Sequence, residues 1–547
     1  MGMHRTGEHD LGGVVYRRSM TPVLAALLLA VTQADGHIGE TPAPIPGQTE
    51  PQAQSPAPLP EATAPQQTKP VAPRQQLRIL PQDSRLEAYQ QFRNLYDLAR
   101  FDEALPLAKR VVELSESSGE RDHELPIAYN NLGATQYQLA DYPAAEGSYR
   151  KSLELLESTQ GISSRRLVVP LAGLGAVYAA QDQHAVAAEL FDRALAVSRR
   201  ADGLFNLQQL PLLEQAADSR FAISDFGGAE REHLYALKVA EQNFGYGDAR
   251  TLPALLQLGA FYEGLREFIA ARNMYMRARD VSLKPGVYDP NAVKALVGIA
   301  RTHRLQYTMD PDTLESQQPA RDEVTGEIIG KVYRESRVPP PAADRTGLKA
   351  AQTALDLLRS TSNPPAELMT ETLIELGDWF QATSRPQISI PYYAEAAGIL
   401  DAQVAADPLA GHPLKAPRMV FYRPPLSASR GLNTLSGQYI IRKAVFTFVV
   451  TETGLPLDVT LVSTDMDEGQ LSQSMRAVGR AIYSPRFAEG HAVSTAGVTF
   501  TSEWYTEFDP ETAPPKETPT STTPEPPPPA QTPPPEAEAK PPSGAGT

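Results

Sequence analysis

The chain has 547 residues, room for three or four domains at about 150 residues each. Hydrophobic residues make up 41% of it, enough apolar material for a sizeable core. Fifty Lys and Arg against 65 Asp and Glu leave a net charge of −15, which repels phosphate and excludes a generalised nucleic-acid or anionic-membrane binder. With no cysteine, disulfides, thiolate nucleophiles, Cys-type zinc sites and acylation at cysteine are all excluded.

From the N-terminus, Arg17 and Arg18 precede an apolar run of ten residues from Pro22 to Val31, followed by Thr32-Gln33-Ala34. A bilayer span needs about 20 apolar residues. This shorter run with basic residues before it and small or polar ones after it predicts a secretory signal peptide over 1–34. The other reading is an uncleaved N-terminal anchor. Export to the periplasm fits a chain without cysteine. Residues 35–80 form a Pro-rich linker, with ten prolines in the 33 positions from 41 to 73. The tail, 509–547, holds fourteen more prolines from Pro510 onward. Neither stretch has enough apolar groups to offset ordering entropy, so both are expected to be disordered, extended spacers.

Between the tethers, 81–408 carries an internal repeat. Leu132-Gly133 and Leu174-Gly175 are 42 residues apart, Leu258-Gly259 lies 84 beyond the second, and the same pair recurs, out of that spacing, at Leu376-Gly377. Ala216-Ala217 fills the missing phase. Thirteen residues after the first member of the pair stands Ala145, Ala187, Ala229 or Ala271, and four later Tyr149, Phe191, His233 or Tyr275. Small residues (Ser152, Ala194, Ala236, Ala278) follow. A fixed period of this length means a repeat array. Gly or Ala in one helix lets the next cross at close range, and the ring fills the space that remains. Residues 310–344, with Pro311, Pro319 and Pro339 to Pro341, read as a plain surface insertion, the other reading being a small strand pair at Val324 to Tyr333.

This pattern resembles the tetratricopeptide repeat, in the longer form of kinesin light chain-like arrays. The resemblance implies an α-solenoid whose first helices line a groove, with an Asn pairing to the backbone of a bound peptide. The residue before the Leu of each pair reads Gln90, Asn131, Gly173, Gln215 and Gln257. Side-chain amides both donate and accept, so Gln90, Asn131, Gln215 and Gln257 form a candidate ladder for an extended polypeptide. Extending the Asn's role to the glutamines rests on that shared chemistry. Arg93, Tyr96, Tyr137, Asp218 and Glu263 are neighbouring groove candidates.

From Tyr439 the period becomes two. Phe446, Phe448 and Val450 alternate, Glu452-Thr453-Gly454 turns the chain, and Leu457, Val459 and Leu461 alternate again. Leu471, Met475, Val478 and Ile482 share a helical face, and Ala496 to Trp504 returns as a strand. Together with Tyr483-Ser484-Pro485 through Gly490, this order resembles the TonB C-terminal domain family, placed at 418–508. The resemblance implies a small α+β module whose exposed strand, here Val493, Thr495, Gly497 and Thr499, pairs with a segment of an outer-membrane transporter. The chain departs from that family in having no His within Pro22 to Val31 and in placing helical repeats between its Pro-rich span and the module.

No His pair at i, i+4, no P-loop and no Gly-x-Ser-x-Gly occurs, and His184 and His233 sit at repeat positions. The expected protein is mainly α and not an enzyme, with no cofactor or metal. It is read as an exported periplasmic scaffold for other proteins or extended peptides, envelope and outer-membrane transport proteins among them. Nucleic acid is not expected as a partner, and the membrane only if the N-terminal segment is retained. The alternative is a TonB-family energy transducer anchored in the inner membrane and facing the periplasm.

Overall fold

In a computed structural model of the chain, which describes residues 81–118, 124–308, 318–321, 328–332, 345–407, 411–425 and 439–507, the 42-residue period becomes a stack of helix pairs. The stretches read as a signal peptide (1–34), linker (35–80) and tail (509–547), with much of the insertion, lie outside the described residues. The pairs are α1 (Pro81–Asp97) with α2 (Phe101–Ser118), α3 (Leu125–Gln138) with α4 (Tyr142–Gln160), and α5 (Val168–Ala180) with α6 (His184–Asp202). Next come α7 (Leu210–Ala222) with α8 (Phe226–Phe244), and α9 (Leu252–Gly264) with α10 (Phe268–Ser282). The last two are α11 (Pro290–Thr308) with α12 (Thr346–Arg359), and α13 (Ala366–Ala382) with α14 (Pro386–Ala406).

The repeat residues do what their sizes dictate. Ala145, Ala187, Ala229 and Ala271 are fully buried, as are Tyr149 and Phe191. A Cβ added to Gly133 would lie 3.1 Å from the Tyr149 ring, one on Gly175 2.8 Å from Phe191, one on Gly259 2.7 Å from Tyr275 and one on Gly377 2.5 Å from Tyr393. Each such glycine faces the ring 16 residues later in its own pair. The period is also present in the backbone. The turn inside six of the seven pairs places Ala99, Ala140, Asp182, Ser224, Arg266 and Ser384 at positive φ between 55° and 63°. That conformation is unfavourable for residues with a Cβ, so the sequence offers no glycine signal for it.

Inside the α11/α12 pair, β1 (Gln318–Arg321) pairs antiparallel with β2 (Ile328–Val332), and β2 packs back against α8. The insertion therefore holds a strand pair, but its first strand lies upstream of Val324, and 322–327 lies outside the described residues.

The C-terminal module is built on β4 (Tyr439–Val450), flanked by β5 (Pro456–Thr464) on one side and β9 (Thr495–Glu507) on the other. Helix α15 (Glu468–Val478) starts at a capping box between Asp467 and Gln470 and packs on this sheet. Ala444, Phe446, Phe448, Val450, Val478 and Trp504 form the core. The helix is shorter than the expected apolar face, because Ile482 belongs to strand β6 (Ile482–Ser484). Two smaller pairs complete the module: β3 (Arg418–Phe421) with β6, and β7 (Arg486–Ala488) with β8 (His491–Val493).

This module is seated on the last helix pair. Phe487 belongs to the apolar core of the helical array, its ring centroid 6.2 Å from that of Tyr393, and its N–H donates to the Leu414 carbonyl at 2.8 Å. Gln381 on α13 donates to the carbonyls of Thr453 (2.6 Å) and Tyr483 (3.0 Å). Arg418 of β3 donates to Asp378 of α13, which also accepts from the Tyr393 hydroxyl at 2.7 Å.

Candidate functional site

The first helices of successive pairs carry the four amides at equivalent positions, but in unlike surroundings. Gln90 on α1 is exposed, Asn131 on α3 and Gln257 on α9 are half-buried, and Gln215 on α7 is buried. Gly173 interrupts the series for a packing reason: a Cβ there would lie 2.4 Å from the Tyr149 ring. The Asn131 Nδ2 and Gln215 Oε1 atoms are buried without a hydrogen-bond partner. Gln215, only 4% exposed, is enclosed and offers nothing to a ligand from outside.

Asn131 opens instead onto a cavity of about 330 Å³ between α1, α3 and α5. Leu86 and Tyr89 of α1, Ile127 of α3 and Val169 and Pro170 of α5 give it apolar walls. Arg85 and Glu124 line it as an ion pair. Asn130 also lines it; this residue is 6% exposed and its Oδ1 lacks a partner. Sequence reasoning chose Asn131 by its phase and passed over Asn130. The adjacent Asn-Asn pair ahead of Leu132 was the available signal. Two amide residues among apolar walls suit a peptide group with a large apolar side chain next to it. Gln90, Gln215 and Gln257 do not line this cavity, so the four amides do not form one continuous site.

The neighbouring groove candidates are engaged within the array. Glu263 accepts from the Tyr275 hydroxyl at 2.9 Å and pairs with Arg301 at 3.3 Å. Tyr96 and Tyr137 are buried, and burial pushes the Tyr137 hydroxyl up to about 12. Arg93 lies 3.7 Å from Asp97. Next to the module, Arg304 makes a two-pronged bond to Glu375 (2.7 and 2.8 Å) and approaches Asp378 at 3.4 Å, all three nearly inaccessible. Burial raises the Glu375 carboxyl above its usual range. Burial acts the same way on Asp378, but Arg418 and Arg304 outweigh it and hold that carboxyl low.

The proposed pairing strand divides. Val493 belongs to β8 and pairs with Arg486, outside the main sheet. Thr495 and Thr499 lie in β9 opposite Val450 and Thr447, while Gly497 sits at a break in register with φ 73°. From Val498 to Glu507 the strand runs in unbroken register against β4, with its other edge unpaired in the sheet order. The opposite edge, β5, has two register breaks and Asp458 at φ 56°, irregularities that blunt an edge against further pairing.

His233 takes the ring position of its repeat, is 3% exposed, and packs 4.9 Å from the Phe261 ring. Among the described residues no cluster of three or more His, Asp or Glu is arranged to hold a metal ion.

The tetratricopeptide repeat family pattern matches residues 93–158, from the middle of α1 to the end of α4. No curated protein matches the chain. Solved structures with partial likeness include kinesin light chain TPR-like repeats from Podosopora anserina, 14% identical over 37% of this chain and 96% of that one, TM-score 0.34. BtubC (BKLC) from P. vanneervenii is 17% identical over 57% of this chain and 94% of that one, TM-score 0.33. The quorum sensor NprR from B. thuringiensis is 15% identical over 58% and 77%, TM-score 0.37. The matched segment is a tetratricopeptide-type helical repeat, and the helix pairs that follow continue its two-helix frame.

Proposed function

We propose that the chain is an exported, periplasmic scaffold that holds other polypeptides at two places, the cavity between α1, α3 and α5 and the free edge of β9. The observation that carries the reading is the cavity of about 330 Å³ in which the amide residues Asn130 and Asn131 stand beside apolar walls, a lining suited to a peptide with a large apolar side chain. At the other end, the order hairpin, helix and return strand, with β4 between β5 and β9, supports a TonB-like module that accepts a strand. Strand addition needs only main-chain N–H and C=O groups in unbroken register, which the Val498 to Glu507 stretch presents. Envelope and outer-membrane transport proteins are the partners this reading favours. The TonB-like order also agrees with an inner-membrane-anchored transducer, and the two readings part at the N-terminus: a mature chain that starts near Asp35 belongs to the scaffold.

The test is photo-crosslinking of the full chain in cells that make it, with benzoylphenylalanine replacing Thr499 or Leu86, an exposed residue of the cavity wall. Arg110, exposed on the second helix of the first pair, serves as the control position. Adducts with other polypeptides at Leu86 and Thr499, and none at Arg110, are expected. Adducts of equal strength at all three positions, or none anywhere, overturn the proposal.

A further inference from the structure

Four consecutive turns that lead from one helix pair to the next share a construction that the scaffold reading does not use. In three of them a glycine at positive φ ends the helix, Gly161 at 81°, Gly203 at 90° and Gly245 at 93°, and in the fourth Gly286, at 70°, stands in the turn beyond a helix that ends at Ser282. A side chain then caps the next segment: Ser164, Asn206, Asp248 and Asp289. Right after each glycine stands an apolar residue that the turn itself does not require. Ile162 is 72% exposed, Leu204 62%, Tyr246 67% and Val287 52%. Single exposed apolar residues are ordinary, but one per pair along the same edge of the array is a row.

The tips are braced. The Tyr235 hydroxyl donates to the Leu204 carbonyl at 2.7 Å, and Asn243 donates to the Phe205 carbonyl at 2.7 Å. Arg277 lies 4.1 Å above the Tyr246 ring. Four acidic groups near the turns are matched by cations, Asp202 by Arg165, Asp248 by Arg250, Glu241 by Arg277 and Glu157 by Arg193, while Asp289 accepts the Asn291 N–H. Three cations beside the tips have no carboxylate partner among the described residues. Arg200 donates to the Ser163 hydroxyl at 2.7 Å, Lys238 lies 5.7 Å over the Phe205 ring, and Lys284 stands two residues before Gly286. These cations offer a local attraction to anionic headgroups on a chain whose net charge of −15 otherwise repels them.

A folded protein partner meets such a row only with pockets of matching spacing. A lipid headgroup layer accepts projecting aliphatic and tyrosine side chains flanked by cations without any match of shape. We propose that this edge of the array rests on a membrane surface bearing anionic headgroups, with Ile162, Leu204, Tyr246 and Val287 entering the boundary between headgroups and acyl chains.

The test uses the full chain carrying Tyr246→Trp, with Ile269→Trp as control, since Ile269 is 62% exposed but lies at the far end of α10 from these turns. The native Trp379 and Trp504 are buried and give a constant background. Vesicles of phosphatidylcholine with brominated phosphatidylglycerol should quench the indole introduced by Tyr246→Trp and leave that of Ile269→Trp unquenched. Adding Ile162→Ser, Leu204→Ser and Val287→Ser to the Tyr246→Trp chain should weaken vesicle binding about tenfold or more, with circular dichroism showing the helices retained. Equal quenching at both positions, which would put binding in the N-terminal segment, overturns the proposal. So does no quenching at Tyr246→Trp, or quenching that is the same when all the headgroups are neutral.

Discussion

Tyr149 lies between Gly133 of its own pair and Gly173 of the next, and a Cβ on either would approach its ring to 3.1 Å or 2.4 Å. The same ring thus sets two helix crossings. Gly173→Ala should cost about 1–3 kcal/mol by overpacking, read as a shift in the midpoint of chemical unfolding. Gly147, on α4 with nothing within 4 Å of an added Cβ, is the opposite case, and Gly147→Ala should gain about 0.5–1 kcal/mol from helix propensity alone. His233 stands where other repeats put Tyr or Phe, and burial holds its imidazole down at about 4. Its depressed value means the unfolded chain takes up this proton first as pH falls. The fold should lose about 3 kcal/mol from this site between pH 6.5 and 4, and nothing from it above 6.5. Unfolding of the His233→Phe chain, compared with the parent across that window, should lack this component. An unchanged pH profile would mean that the imidazole is not held neutral. The ring and glycine positions were readable because volume complementarity needs particular residue types at fixed spacing. The turn residues Ala140, Asp182, Ser224 and Arg266 were not, because positive φ there is imposed by the two packed helices rather than chosen by glycine.

At the scale of elements, alternation marked β4, β5 and β9, since a strand with one buried face must show period two. It did not reveal β3, whose four residues Arg418 to Phe421 are too few to show a period. Nor did it find the end of α15, because Ile482 keeps the helical phase while its backbone has already entered β6. The seat of the module on α13 was equally hidden. It depends on Gln381, Asp378 and Arg418, polar residues whose partners are distant in sequence. Arg304 is the central cation of that region, 7% exposed and shared between Glu375 and Asp378. Arg304→Met leaves two buried carboxylates facing each other and should cost about 3–5 kcal/mol. Denaturant unfolding should show this loss, and an unchanged midpoint would mean that Arg301, 3.8 Å from Glu375, can replace it.

For the whole molecule, a stack of helix pairs leaves an apolar surface at each end that something must cover. At the C-terminal end Phe487 and Leu414 join the core of the array and do so. The helical half and the sheet half are therefore one folded body, and the strand edge at β9 has a fixed position on the array. The order in which the ribosome delivers these parts follows from that seat. The earlier pairs meet their neighbours within a few dozen residues and can close as they are made. The α13/α14 pair has to wait, one side bare, until the strand bearing Phe487 has been synthesised.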